Sequence, residues 1–214
     1  MNGAGDNGNR SAPMHPNKAF RQGDDAALIA WASRIGFAHL LIATADGPMV
    51  AHAPIVQTGP TALSFHVARA NRVHPHLDGA RMIASVAGAE GYVSPNWYAN
   101  GANQVPTWNY VAVELEGTVH ALDEDGLVAQ LDALAAAHEP RVLPDNPWTR
   151  DKMDEARFRA MLRAIAGFDL RVEQVRGTTK LSQNKPAGDR ARVIAGLEQS
   201  GNAALADAMR RVGE

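Results

Sequence analysis

The chain contains no cysteine. That absence excludes disulfide bridges, thiolate metal ligands and cysteine nucleophiles together. Long apolar runs are missing too: stretches such as Leu40 to Ala45 fall far short of the roughly 20 residues a membrane-spanning helix needs. Neither sign of charge dominates, with a formal charge of −2 over 214 residues and a pI of about 6.4. Such a balance argues against a polyelectrolyte-style nucleic-acid binder and leaves room only for a local basic patch. The opening stretch MNGAGDNGNRSAP has no apolar core region and does not read as a signal peptide. A soluble, cytoplasmic protein with no membrane partner is expected. The H-E-x-x-H, G-x-S-x-G, Walker A and G-x-G-x-x-G patterns are all absent, so zinc-peptidase, serine-hydrolase, P-loop and dinucleotide-fold readings have no support.

Aromatic residues are few, five Phe, four Trp and three Tyr, and they are unevenly placed. All three tyrosines and two tryptophans fall between Tyr92 and Tyr110, in YVSPNWYANGANQVPTWNY. Pro95 and Pro106 stiffen the backbone beside Trp97 and Trp108. Large rings with polar tips on a stiffened chain suit stacking against a flat partner.

The rest of the chain, 45% hydrophobic and 21% charged, is globular in composition. Residues 1–13 are predicted to be a flexible tail, 14–176 a barrel domain with inserted helices, and 177–214 a polar loop and C-terminal helices packed on it. A helix is predicted from about Asp24 to Ile35, capped by Asp24. Strands follow at Leu40 to Thr44 and Met49 to Val56 around an Asp46-Gly47 turn, then at Leu63 to Val67 and Met82 to Val86. Thr107 to His120 reads as a long strand with Val111, Val113 and Leu115 on one face, and Gly117 as a bulge. Helices are expected from Asp123 to His138 and across Phe158, Met161, Leu162 and Ile165. Phe168 to Val172 is the last strand, closed by an Arg176-Gly177 turn. Two short helices broken at Gly201 end the chain. Strands in hairpin order, without a helix between each pair, predict a mainly β fold: an antiparallel barrel with peripheral helices.

Two further stretches carry binding chemistry. His66, Arg69, Asn71 and Arg72 surround the end of the third strand, and arginine forks at a strand-end turn suit phosphate. Solvated arginines and a histidine paired within the sheet explain the same residues. Lys180-Leu181-Ser182-Gln183-Asn184-Lys185 offers ammonium, hydroxyl and amide groups from one loop, the set for a polar heterocycle or an anion, and equally an ordinary polar linker. His74-Pro75-His76, His52, His120 and His138 form no recognisable metal pattern, so no metal site is predicted. His138-Glu139 is read as a helix-end dipole interaction.

Taken together, FHVARAN (65–71), YVSPNWY (92–98), VPTWNYVAV (105–113), His138-Glu139, Pro147-Trp148 and KLSQN (180–184) resemble the PaiB-type FMN-binding negative transcriptional regulators, within the split-barrel flavoproteins. The likeness begins at Met14-His15-Pro16 and runs to about Arg192. It implies a six-stranded split barrel that dimerises, with FMN near the subunit interface. It further implies Arg69, Asn71 and Arg72 near the phosphate, with His66 in reach. Trp97, Tyr98 and Trp108 would cover or wall the ring, and Lys180, Ser182 and Gln183 would meet its polar edge. The chain departs from the family at His15, usually Tyr, and at Arg72, usually Pro. It has Ala99 and Thr178 where lysines are common.

The resemblance implies a homodimeric repressor of transcription with DNA as a partner. A flavin-dependent oxidoreductase, whose chemistry would be the flavin's own, is the alternative, and a haem protein with His66 or His74 as axial ligand is another. Arg190, Arg192, Arg210 and Arg211 on the last two helices loosely match a helix-turn-helix, but a plain helical hairpin accounts for them better. Trp108 separates cofactor from interface roles: Trp108→Leu should weaken flavin binding in a titration if the ring covers FMN. If the ring anchors a dimer, the same change should shift the sedimentation equilibrium towards monomer.

Overall fold

A computed structural model describes residues 13–21 and 23–212. The expected flexible tail, 1–13, lies outside them except for Pro13. Helix α1 (Asp25–Ile35) begins where Asp24 Oδ1 accepts the Ala27 amide at 2.8 Å, and it ends at Gly36, in the left-handed region at φ 78°. Strands β1 (Phe37–Thr44) and β2 (Gly47–Gly59) pair in register from Phe37↔Pro54 to Thr44↔Gly47. The hairpin loop is therefore Ala45-Asp46, and Gly47 already pairs within the sheet at φ 108°. Strand β3 (Ala62–Ala68) follows.

Strand β4 (Arg81–Val93) runs well beyond the predicted Met82 to Val86, while β5 (Thr107–Ala121) matches its prediction closely. Strand β6 (Ile165–Lys180) also outruns expectation. The predicted Arg176-Gly177 turn lies inside it, because the β-branched Thr178 and Thr179 carry the extended chain on. The six strands close as β1-β2-β3-β6-β5-β4, the antiparallel barrel that the hairpin order predicts.

The chain divides into two compact units. One comprises Asp24–Val86 and Glu114–Val175. Ala38, Leu40 and Ile42 of β1 alternate inward here with Leu63, Phe65 and Val67 of β3 and Phe168 and Leu170 of β6. Phe65 and Phe168 are register partners whose rings stack at 5.5 Å. Each of the Val, Leu, Ile and Phe side chains, fully buried, contributes about 1.5–3 kcal/mol. Helix α2 (Glu124–Val142), capped by Asp123, continues four residues past the predicted end at His138. His138 therefore lies about one turn before the helix end, its ring against Gly36 where a Cβ would stand 2.6 Å from Nε2. Helix α3 (Glu155–Leu162) turns Phe158 and Leu162 onto Leu127, whereas Met161 is exposed and Ile165 opens β6.

The other unit comprises the described residues of Met1–Gly23, Ala87–Val113 and Arg176–Glu214. Helices α4 (Ala187–Gln199) and α5 (Ala203–Arg211) turn at Gly201, φ 82°, and Asn202 caps α5 through the Leu205 amide at 3.2 Å. Val193, Leu197, Leu205, Ala206 and Met209 bury against Val93, Tyr98 and Leu181. Arg190 donates to the Met209 carbonyl at 2.8 Å, Arg192 meets Asp189, and Arg210 pairs with Glu198 and Asp207. The helices thus form a hairpin whose arginines are largely engaged. No helix among the described residues is long and apolar enough to cross a membrane.

Gly117 marks a close approach of two backbones. A Cβ there would overlap the Arg171 carbonyl oxygen and lie 2.7 Å from its carbon and 3.1 Å from Val172 Cα. Backbone cannot yield as a side-chain tip does, so Gly117→Ala should destabilise the fold by about 2–3 kcal/mol, read as a lowered urea midpoint with unchanged slope.

Candidate functional site

A cleft of about 260 Å³ opens in the unit that holds α4 and α5. Its polar wall comes from the start of β5, the end of β6 and the loop after it: Thr107, Asn109, Lys180, Ser182 and Lys185. Tyr98 forms another wall. The short 3₁₀ turn Pro95–Trp97 carries it there, capped by the Ser94 hydroxyl accepting the Asn96 amide at 3.2 Å. Tyr98 is buried; burial, then the charge of Asp189, pushes its pKa up, against the opposing effect of Ser182. Lys185 Nζ lies 4.9 Å above the Tyr98 ring and donates to Gln104 at 3.0 Å. His15 and Phe20, edge to face at 4.8 Å, close one side.

Two features make this cleft chemically unfinished. Asn109 is 1% exposed; its amide nitrogen donates to Ser182 Oγ at 2.9 Å, but its Oδ1 is buried with no partner. A buried acceptor left without a donor costs about 1–3 kcal/mol. Lys180 Nζ donates to Thr107 Oγ1 and, at 2.8 Å, to the Trp108 carbonyl. Both are neutral, and burial lowers the lysine's pKa with no described carboxylate to offset it. Ser182 holds a left-handed backbone, φ 60°, that L residues other than Asn and Asp seldom adopt. Strain of this kind tends to collect at binding sites.

An isoalloxazine edge alternates carbonyl acceptors with an N–H donor. Lys180 and Lys185 can donate to such acceptors, and Asn109 Oδ1 can accept a hydrogen bond from such a donor. This donor set fits a flavin edge, and the volume, just below the 300–1,000 Å³ of whole-ligand pockets, fits part of a ring system.

Of the sequence-predicted residues, the cleft gathers Tyr98, Lys180 and Ser182. Gln183 folds back on its own turn, accepting the Leu181 amide at 2.7 Å and donating to the Thr179 carbonyl. Trp97 lies on α4, where a Cβ at Gly196 would come 2.5 Å from its ring. Trp108 is 48% exposed, donates to the Glu90 carboxylate and meets the Tyr92 ring edge-on at 6.3 Å. Asn109 was absent from the prediction. Its signal is phase: it shares the inward face of Val111 and Val113, where a polar residue requires a reason.

His66, Arg69, Asn71 and Arg72 belong to the unit of Asp24–Val86 and Glu114–Val175. His66 Nδ1 meets Gln130 Oε1 of α2 at 3.1 Å. Arg69 and Arg72 are exposed, and neither guanidinium has an acidic partner among the described residues. Asn71 spends its side-chain oxygen on the Val73 amide at 3.2 Å, shaping the turn. A larger groove of about 500 Å³ runs along α2 past Pro147 and Trp148. It gathers none of these residues, and its Arg150 already pairs with Asp132.

A family model described as "Putative FMN-binding domain" matches residues 14–174. The chain is similar to the protease synthase and sporulation protein PAI 2 of Bacillus subtilis (strain 168), 35% identical over 115 residues, 54% of each chain. It spans little more than half the length of the curated relatives it matches. Among solved structures it is similar to the FAD and heme binding protein from Mycobacterium smegmatis, with TM-score 0.57, 18% identity, and coverage of 80% of this chain and 78% of that one. The flavocytochrome Anf3 from Azotobacter vinelandii gives TM-score 0.57 and 15% identity over 80% of this chain and 75% of its own. At these identities the likeness is one of fold, the six-stranded split barrel.

A pH response of stability follows from His66. Burial lowers its pKa from 6.5, outweighing the opposing hydrogen bond to Gln130. The folded state then binds fewer protons than the unfolded one, so its stability is greatest above about pH 6.5 and declines as pH falls through the lowered folded value. Urea midpoints measured at pH 7.5 and 5.5 should differ less in His66→Gln than in the native protein.

Proposed function

The chain belongs to this FMN-binding domain family, and from that premise we propose that it is a dimeric, PaiB-like flavoprotein of the cytoplasm that represses transcription. The unsatisfied Asn109 Oδ1 beside the uncompensated Lys180 is the observation that carries the flavin reading. FMN, when bound, supplies a redox-active ring that responds to the reducing state of its surroundings. Lys180 and Ser182 hold the polar edge of that ring, Tyr98 walls it, and Asn109 accepts its N–H. The family resemblance supports Arg69, Asn71 and Arg72 as the residues that would donate to a phosphate, with Arg72 a cation where the family usually has proline. His66, engaged with Gln130, positions α2 on β3. The repressor role is supported by the family resemblance and the sporulation-related name of the Bacillus relative.

The purified protein should show flavin absorption bands, and apoprotein should take up FMN stoichiometrically. A Soret band in their place would overturn the reading. Lys180→Met should weaken FMN binding about tenfold or more, since hydrogen bonds to charged groups contribute about 1.5–3 kcal/mol. Gel shifts on the protein's own upstream DNA across a salt series test the repressor role, and binding no tighter than to random DNA would sink it.

A further inference from the structure

His39 of β1 and His52 of β2 stand directly opposite each other across the first hairpin. Both are exposed, and their rings meet at right angles, 89°, with centroids 4.9 Å apart. Neither ring hydrogen-bonds any other described residue. Flanking positions on the same outward face are apolar: Phe37, Leu41 and Val50, each 40–49% exposed. Nothing in the flavin reading uses this pair.

We propose that His39 and His52 form a surface site for one divalent transition-metal ion. An imidazole nitrogen bonds such an ion at about 2.0–2.1 Å, which with angles at the metal between right and tetrahedral sets ring centroids roughly 4.5–5.2 Å apart. The observed 4.9 Å falls inside that interval, so the two imidazoles are near enough to share one ion once their nitrogens turn towards it. Two strands locked by register from Phe37↔Pro54 to Thr44↔Gly47 hold that spacing. No cluster of three or more His, Cys, Asp or Glu exists among the described residues, so the protein supplies two ligands and water completes the shell. Imidazole donors with an open, adaptable shell favour Cu(II) over Ni(II) and Zn(II). The site takes up an exchangeable ion rather than a structural one.

Calorimetric titration of full-length, untagged protein with CuCl2 tests this. One ion should bind per chain, and His39→Asn or His52→Asn should each weaken it at least tenfold, because either leaves a single imidazole. The double variant His74→Asn/His76→Asn should bind as the native chain does, since the His74 ring packs edge-on against Phe168. Circular-dichroism melts confirm that each variant is folded. Full-strength binding by the His39→Asn/His52→Asn double variant would overturn the proposal. So would loss of the site in the His74→Asn/His76→Asn variant, or full retention in either single variant.

Discussion

The barrel depends on two backbones lying against each other at Gly117 and Arg171. The strand order closes only if β5 meets β6, and with that seam open the sheet would present two unpaired edges. A single hydrogen atom in place of a methyl group makes the seam possible. The stacked pair of Phe65 and Phe168 and the alternating aliphatics of β1 and β3 then have a closed interior to fill. Gly167, whose Cβ would lie 3.0 Å from Leu127, serves α2 on the outside of the same strand.

The cleft works by the opposite logic. There, polar groups are brought inward and left incompletely satisfied. Lys180 gives up part of its hydration for two neutral oxygens, and Asn109 gives up a lone pair to burial. In a finished core these would be defects, because a buried donor or acceptor without a partner lowers stability. Around a space open to a ligand they become a stored preference for whatever completes them. Ser182, which accepts from the Asn109 amide at 2.9 Å, belongs to the fixed part of that wall.

Much of the fold was legible because local signals agree. Asp24 and Asp123 announced their helices as caps, and the short hairpins announced the antiparallel sheet. The strands were underestimated where glycine interrupts them. Gly88 and Gly91 broke the apolar run of β4, yet Gly91 is there to admit Asn202, which donates to the Glu90 carbonyl at 2.9 Å. Gly177 similarly disguised the last residues of β6 as a loop. The site was legible as a set of motifs but not as a geometry. Trp97 lies on Gly196, ninety-nine positions away, and no local pattern links an indole to a distant helical glycine. Nor does spacing reveal that Gln183 bends back on its own loop while Lys180, three residues earlier, faces the cleft.

Only four of the chain's twenty-one basic residues are lysines, Lys18, Lys152, Lys180 and Lys185, and two of these line the cleft. Arginine is inert to acylating reagents at ordinary pH, whereas an amine reacts through its unprotonated form. Burial raises that fraction at Lys180. Arginine elsewhere thus leaves few competing side-chain amines, so a lysine-directed probe has four lysines to choose among, two of them at the cleft.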